Sequence, residues 1–192
     1  MTASPQPTAD PRSQAKYQVR FDEGVAGLAR VGAGVDIVVW VDPIGEASDA
    51  PLDALAEAAA AHAVGVAPAI LVAGFEDASA TARWILAEQE RLGRRAYLAI
   101  LAAGSGEGFA AADVLAAGAV VDALAALGID DTSPEAAVAC AAFTGLRRAV
   151  RHLTTASAAG RAAVEAGRSH EDIARAAVLD ASDRPRILRA GR

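Results

Sequence analysis

Three continuous apolar runs punctuate the first half of the chain: DIVVWV (36–41), AILVA (69–73) and AYLAILA (96–102). Runs this short, apolar at nearly every position and in part rich in β-branched residues, predict strands covered on both faces, because a strand with one wet face alternates instead. YQVRF (17–21) does alternate and predicts an edge strand. Between the runs, PLDALAEAAAAHAV (51–64) and DASATARWILAEQERL (77–92) have helical character, the second ending at Gly93 where a helix commonly stops. Strand alternating with helix predicts a parallel or mostly parallel sheet carrying helices on both faces, a three-layer α/β/α fold.

After residue 108 the strand signal disappears. AAADVLAAGAVVDALAALG (110–128) predicts a helix, and Asp131-Thr132-Ser133-Pro134-Glu135 supplies N-cap residues and a first-turn proline for a long helix over 135–153. Two more helices are expected at 155–167 and 170–179, and Arg186 to Leu188 is expected to close the chain as an edge strand. The C-terminal third is thus a helical layer, and no internal repeat is visible. Residues 1–15, rich in Pro, Ser and Thr, read as a disordered lead-in, leaving 16–192 as one domain.

Composition narrows the function classes. Apolar residues make up 53% and aromatics 4%, so the core is built from Ala, Val, Leu and Ile. No apolar run reaches the roughly 18 charge-free residues of a spanning helix, and the N-terminus has no secretory apolar core; a cytoplasmic protein without membrane contact is expected. A net charge of −6 argues against nucleic acid as a partner. Arg147, Arg148 and Arg151 read as a solvated helix face, and Cys140 in AAVACAAF as a small hydrophobe. His62, His152 and His170 lack a second His or Cys at metal spacing and read as structural or exposed.

Ligands of open α/β sheets bind beyond the carboxyl ends of the strands, which singles out three places. Asp42 follows the first buried run; it suits Mg2+, which takes one or two carboxylates, and equally an Asx turn ahead of Pro43. Gly74-Phe75-Glu76-Asp77 follows the second run. Gly104-Ser105-Gly106-Glu107-Gly108 follows the third and precedes a helix, so its amides can cradle an anion, or it is simply a connection needing unusual φ angles. Glu46, Glu76, Asp77, Glu107 and Asp113 are further oxygen donors.

The order and spacing of YQVRFDEGVAGL (17–28), VVWVD (38–42), ILVAGFEDASATARWI (70–85), AILAAGSGEGFAAADVLAAGAVVDAL (99–124), TSPEAAVACAAF (132–143) and TASAAGRAAVEAGRSHEDIARAAVLD (155–180) resemble the 2-phosphosulpholactate phosphatase family, the ComB-like Mg2+-dependent enzymes of coenzyme M biosynthesis. The resemblance implies hydrolysis of a small phosphate ester. On this chain it implies Mg2+ held by Asp42 and Asp113, catalytic carboxylates at Asp42 and Glu107, an anion held by Gly104, Ser105 and Gly106, and a possible homodimer. The chain departs from the pattern at several points. Gly45 stands where the family carries Arg and Glu46 where it carries Ala, with Ser48 left of a hydroxyl pair. Ala73-Gly74 and Asp77 replace Gly-Ser and Asn, Ala112-Asp113 replaces an acidic pair, and a central segment has no counterpart between Ser48 and Pro68. The alternative is a family member without hydrolase activity that binds a small anion or a partner protein.

Overall fold

The computed structural model describes residues 10–45, 50–63, 65–104 and 108–191. Five strands form one sheet: β1 (Val19–Glu23), β2 (Ile37–Val41), β3 (Ala69–Ala73), β4 (Leu98–Ala102) and β5 (Arg186–Arg189), in the order β1-β4-β2-β3-β5. The first four are parallel and β5 closes the β3 edge antiparallel. Successive side chains of a strand point to opposite faces, and the core divides accordingly. Val39, Leu71 and Ile100 face α3 (Ala78–Leu92), α4 (Ala111–Ala126) and α5 (Pro134–Leu146), while Val38, Trp40, Ile70 and Leu101 face α1 (Gly24–Val31) and α2 (Ala50–Ala61). The architecture is therefore the expected three-layer α/β/α fold, with YQVRF at one edge and the C-terminal strand at the other.

The helical layer continues with α6 (Val150–Ala156), α7 (Ala158–Glu165) and α8 (His170–Ala176). The single helix expected over 135–153 is two, parted by a 3-10 turn at Arg147–Ala149. Gly145 weakens the helix just before the break, and the Thr144 hydroxyl donates back to the Ala141 carbonyl, a bond that tends to bend helices. Helix α1 was not expected from the sequence; its GVAGLARV carries two glycines in eight residues, which masks the apolar stripe of Leu28 and Val31. Where a disordered lead-in was expected, residues 1–9 lie outside the described residues. Residues 11–13 form one 3-10 turn, and the buried Gln14 side chain exchanges two hydrogen bonds with the backbone of Phe21.

Connectivity opens one crevice. β2 hands the chain through α2 to β3 on one side. Beyond its neighbour β4, the chain runs through α4 to the other side, where Thr132 bridges to Val19 of β1. Adjacent strands whose continuations diverge leave a gap beyond their carboxyl ends. Asp42 and Gly104 stand in that gap. No helix among the described residues is long and apolar enough to cross a membrane.

Candidate functional site

A cavity of about 280 Å3 occupies this crevice, lined by Asp42, Ile44 and Gly45 from the end of β2, by Ala103 and Gly104 from the end of β4, by Phe109 to Asp113 at the start of α4, and by residues of α7. Nine of its sixteen lining residues are alanine, so a ligand meets methyl groups and backbone more than functional side chains. Its floor is tied together by a small apolar cluster in which Ile44, Ala112 and Ile173 pack with Ala159, Ala163 and Val164.

The two charged side chains in the lining are Asp42 and Asp113. They are 71 positions apart in sequence, and each is fixed by a backbone N–H: Gly45 N donates to Asp42 Oδ1 at 2.7 Å and Gly104 N to Asp113 Oδ2 at 2.9 Å. The Asx-type turn foreseen for Asp42 is thus present, and Gly45 permits it by taking φ +75°. Gly104, at φ +71°, turns its amide toward Asp113, which is itself 6% exposed in the first turn of α4.

Beside the two carboxylates, the backbone contributes partial positive charge to the cavity. Helix α4 begins at Ala110 without any side-chain cap, and α7 begins beside the same cavity at Ser157, whose hydroxyl accepts from Gly160 N at 3.0 Å. Both helices present positive ends to the space, an arrangement that suits negative charge. No cationic side chain lines the cavity among the described residues. Arg168, in the turn between α7 and α8, touches two of the lining residues: its Nη1 donates to the carbonyls of Ile44 and Gly45. It braces the loop at the position where the resemblance expects Arg and the chain has Gly45. Sequence reasoning missed both Arg168 and the wall formed by α7, because nothing local signals a contact across 124 positions.

Asp77 and Glu76 serve the scaffold. Asp77, 1% exposed, accepts from Gly74 N at 2.8 Å and from Arg186 Nε at 2.7 Å, and so locks β5 against the loop after β3. Glu76 lies 3.9 Å from the same guanidinium. Glu46, Ser48, Ser105, Gly106 and Glu107 lie outside the described residues. Cys140 is half-buried, and burial, helped by Asp122, pushes its thiol upward, away from nucleophilic use. His62 bonds the Ala58 carbonyl through Nδ1 at 2.7 Å.

The donor set fits Mg2+. Two carboxylates pinned by backbone amides offer hard oxygens on one cavity, and Mg2+ characteristically takes one or two carboxylates and fills its remaining positions with water and phosphate oxygens. No cluster of three or more His, Cys, Asp or Glu suited to a metal occurs among the described residues.

Among known proteins, the family model described as 2-phosphosulpholactate phosphatase matches residues 56–189, more than two-thirds of the chain. The matched span includes Gly104, Asp113, Arg168 and Arg186 and begins after Asp42. A search of curated proteins returns no match. On that match the chain belongs to the 2-phosphosulpholactate phosphatase family.

Proposed function

We propose that this protein is a Mg2+-dependent phosphatase acting on a small phosphate ester, with the cavity between the ends of β2 and β4 as its active site. The observation that carries the reading is the convergence of Asp42 and Asp113 on that cavity beside two helix N-termini. Asp42 and Asp113 would hold the ion, which when bound neutralises charge on the phosphoryl group as it transfers. The amides at the start of α4 orient the phosphate oxygens, and the uncapped helix end favours the charge they carry. The alanine walls keep water from the ester, which strengthens every electrostatic contact inside. Arg168 holds the 42–45 loop, and with it the Asp42 carboxylate, against the helical layer.

One observation favours a second reading, a family member that binds a small anion without hydrolysing it: among the described residues no guanidinium lines the cavity to clamp a phosphate bidentately, and Arg168 is engaged by carbonyls. The two readings part in a phosphate-release assay with 2-phosphosulpholactate and a panel of phosphomonoesters. The phosphatase reading expects Mg2+-dependent turnover that Asp113→Asn abolishes. Turnover no higher than a metal-free control would leave the binding reading standing.

A further inference from the structure

The helical layer carries a second concave surface. Arg148, Arg151, His152, Thr155, His170 and Glu171 line an open groove of about 530 Å3 on the 3-10 turn before α6, on α6 itself and on the start of α8, and none of them lines the Asp42–Asp113 cavity. From the sequence, Arg148 and Arg151 read as a solvated face. A solvated face has side chains diverging from a single helix; these converge with His170 of another element on one hollow.

The groove sets two arginines without ion-pair partners side by side on an acidic chain. The chain is acidic overall, and much of its arginine is paired internally: Arg30 with Asp22, Arg91 with Glu88, Arg94 with Asp36 and Arg95 with Asp131. Next to the groove, Arg147 pairs with Asp122 at 3.6 Å and Arg175 with Asp172 at 3.0 Å. Arg148 and Arg151 have no ion-pair partner among the described residues. The single carboxylate in the lining, Glu171, lies 3.4 Å from Arg175, which offsets it. The Thr155 hydroxyl is spent on the carbonyls of Arg151 and His152.

We propose that this groove is a second anion-binding site, for a small, multiply charged oxyanion of the phosphate class. Two guanidiniums and two imidazoles offer more N–H donors than the two oxygens of a carboxylate can accept, whereas a phosphate presents three or more acceptor oxygens on a tetrahedral centre. Arg148, in the 3-10 turn, and Arg151, in the first turn of α6, both line the groove and grip the anion in their forks, and His152 and His170 donate from the flanks. This site stands or falls independently of hydrolysis in the β2–β4 cavity.

The test is a titration of the full-length, 15N-labelled protein with inorganic pyrophosphate in the presence of a chelator, read from amide and arginine side-chain shifts. Signals of residues 148–155 and 169–174 are expected to move together and saturate, and Arg148→Gln with Arg151→Gln is expected to weaken that binding about tenfold or more. Both arginines are exposed, so the variant should keep the wild-type spectrum elsewhere. His152→Gln with His170→Gln gives an independent reading of the same loss. Shifts confined to the Gly104–Asp113 cavity, or unchanged affinity in both double variants, would overturn the proposal. So would an equal loss on replacing two exposed arginines outside the groove, Arg83→Gln with Arg184→Gln, since that would reduce the effect to overall charge.

Discussion

Gly118 sits in the middle of α4, the helix that carries Asp113 to the cavity, and a methyl group added there would stand 2.1 Å from the Ala139 carbonyl oxygen and 2.8 Å from Phe143 Cβ. Both neighbours belong to α5, and Ala139 and Phe143 are each 1% exposed. Glycine therefore lets two helix backbones come close, and the atoms in the way, the Ala139 carbonyl and Phe143 Cβ, are ones that no rotamer change can remove. Gly118→Ala gains about 1 kcal/mol of helix propensity. It also forces α5 outward, and overpacking of this kind costs about 1–3 kcal/mol or more. Because a 2.1 Å contact requires the helices to part by over an ångström, the upper end applies and a net loss of about 2 kcal/mol is expected. Gly145, on α5 with open space around its would-be Cβ and no positive φ, is the control: Gly145→Ala should stabilise by about 0.5–1 kcal/mol. Urea unfolding of the two variants beside wild type reads both signs. A Gly118→Ala protein as stable as Gly145→Ala would refute the close α4–α5 approach.

Asp77→Ala strips the acceptor from the buried Gly74 amide and from Arg186, and should cost about 2–4 kcal/mol in the same assay; a loss under half a kcal/mol would show that β5 is not held this way. Burial alone would raise the Asp36 carboxyl, but bonds from Arg94 and the Tyr97 amide outweigh it and hold it below the usual carboxylate range, and Arg30 with the Glu23 amide does the same for Asp22. Groups depressed in the folded state stabilise it above the unfolded pKa and lose that contribution as pH falls through the folded one. Stability should therefore hold above about pH 5 and decline below about pH 4; Asp36→Asn should be weaker at pH 7 and converge with wild type in acid. Cys140, its thiol raised by burial, should react with iodoacetamide more slowly at pH 7.5 in the folded protein than after denaturation, and equal rates would contradict its half-buried setting.

Much of the sheet was legible in the sequence because parallel strands buried on both faces have few ways to look: DIVVWV and AILVA leave no polar alternation to misread. The edge strands were legible too, YQVRF from its alternation and Arg186 to Leu188 from its place at the end of the chain. What hid was context. The α1 helix hid behind its glycines, and the bend at Arg147–Ala149 behind a stretch in which Thr144 and Gly145 alone interrupt the helix formers. At the site, Asp42 and Asp113 were visible as acids at the ends of predicted strands and helices, and the fold brings them to one cavity. Arg168 and the α7 wall were invisible, since their role depends on contacts more than a hundred positions away. Asp77 looked like a free oxygen donor because sequence alone does not reveal that Arg186 comes to meet it.

The central claim, that Asp42 and Asp113 form a Mg2+ site, is tested most directly by calorimetric titration of Mg2+ into wild type, Asp42→Asn and Asp113→Asn, with the melting temperature followed in parallel. An amide keeps an oxygen for the Gly45 or Gly104 N–H, so each variant retains its local bond while losing the charge that attracts the ion. The account predicts saturable binding with a rising melting temperature in wild type and loss of both in either variant. A wild type indifferent to Mg2+, or variants that bind it as tightly, would contradict it.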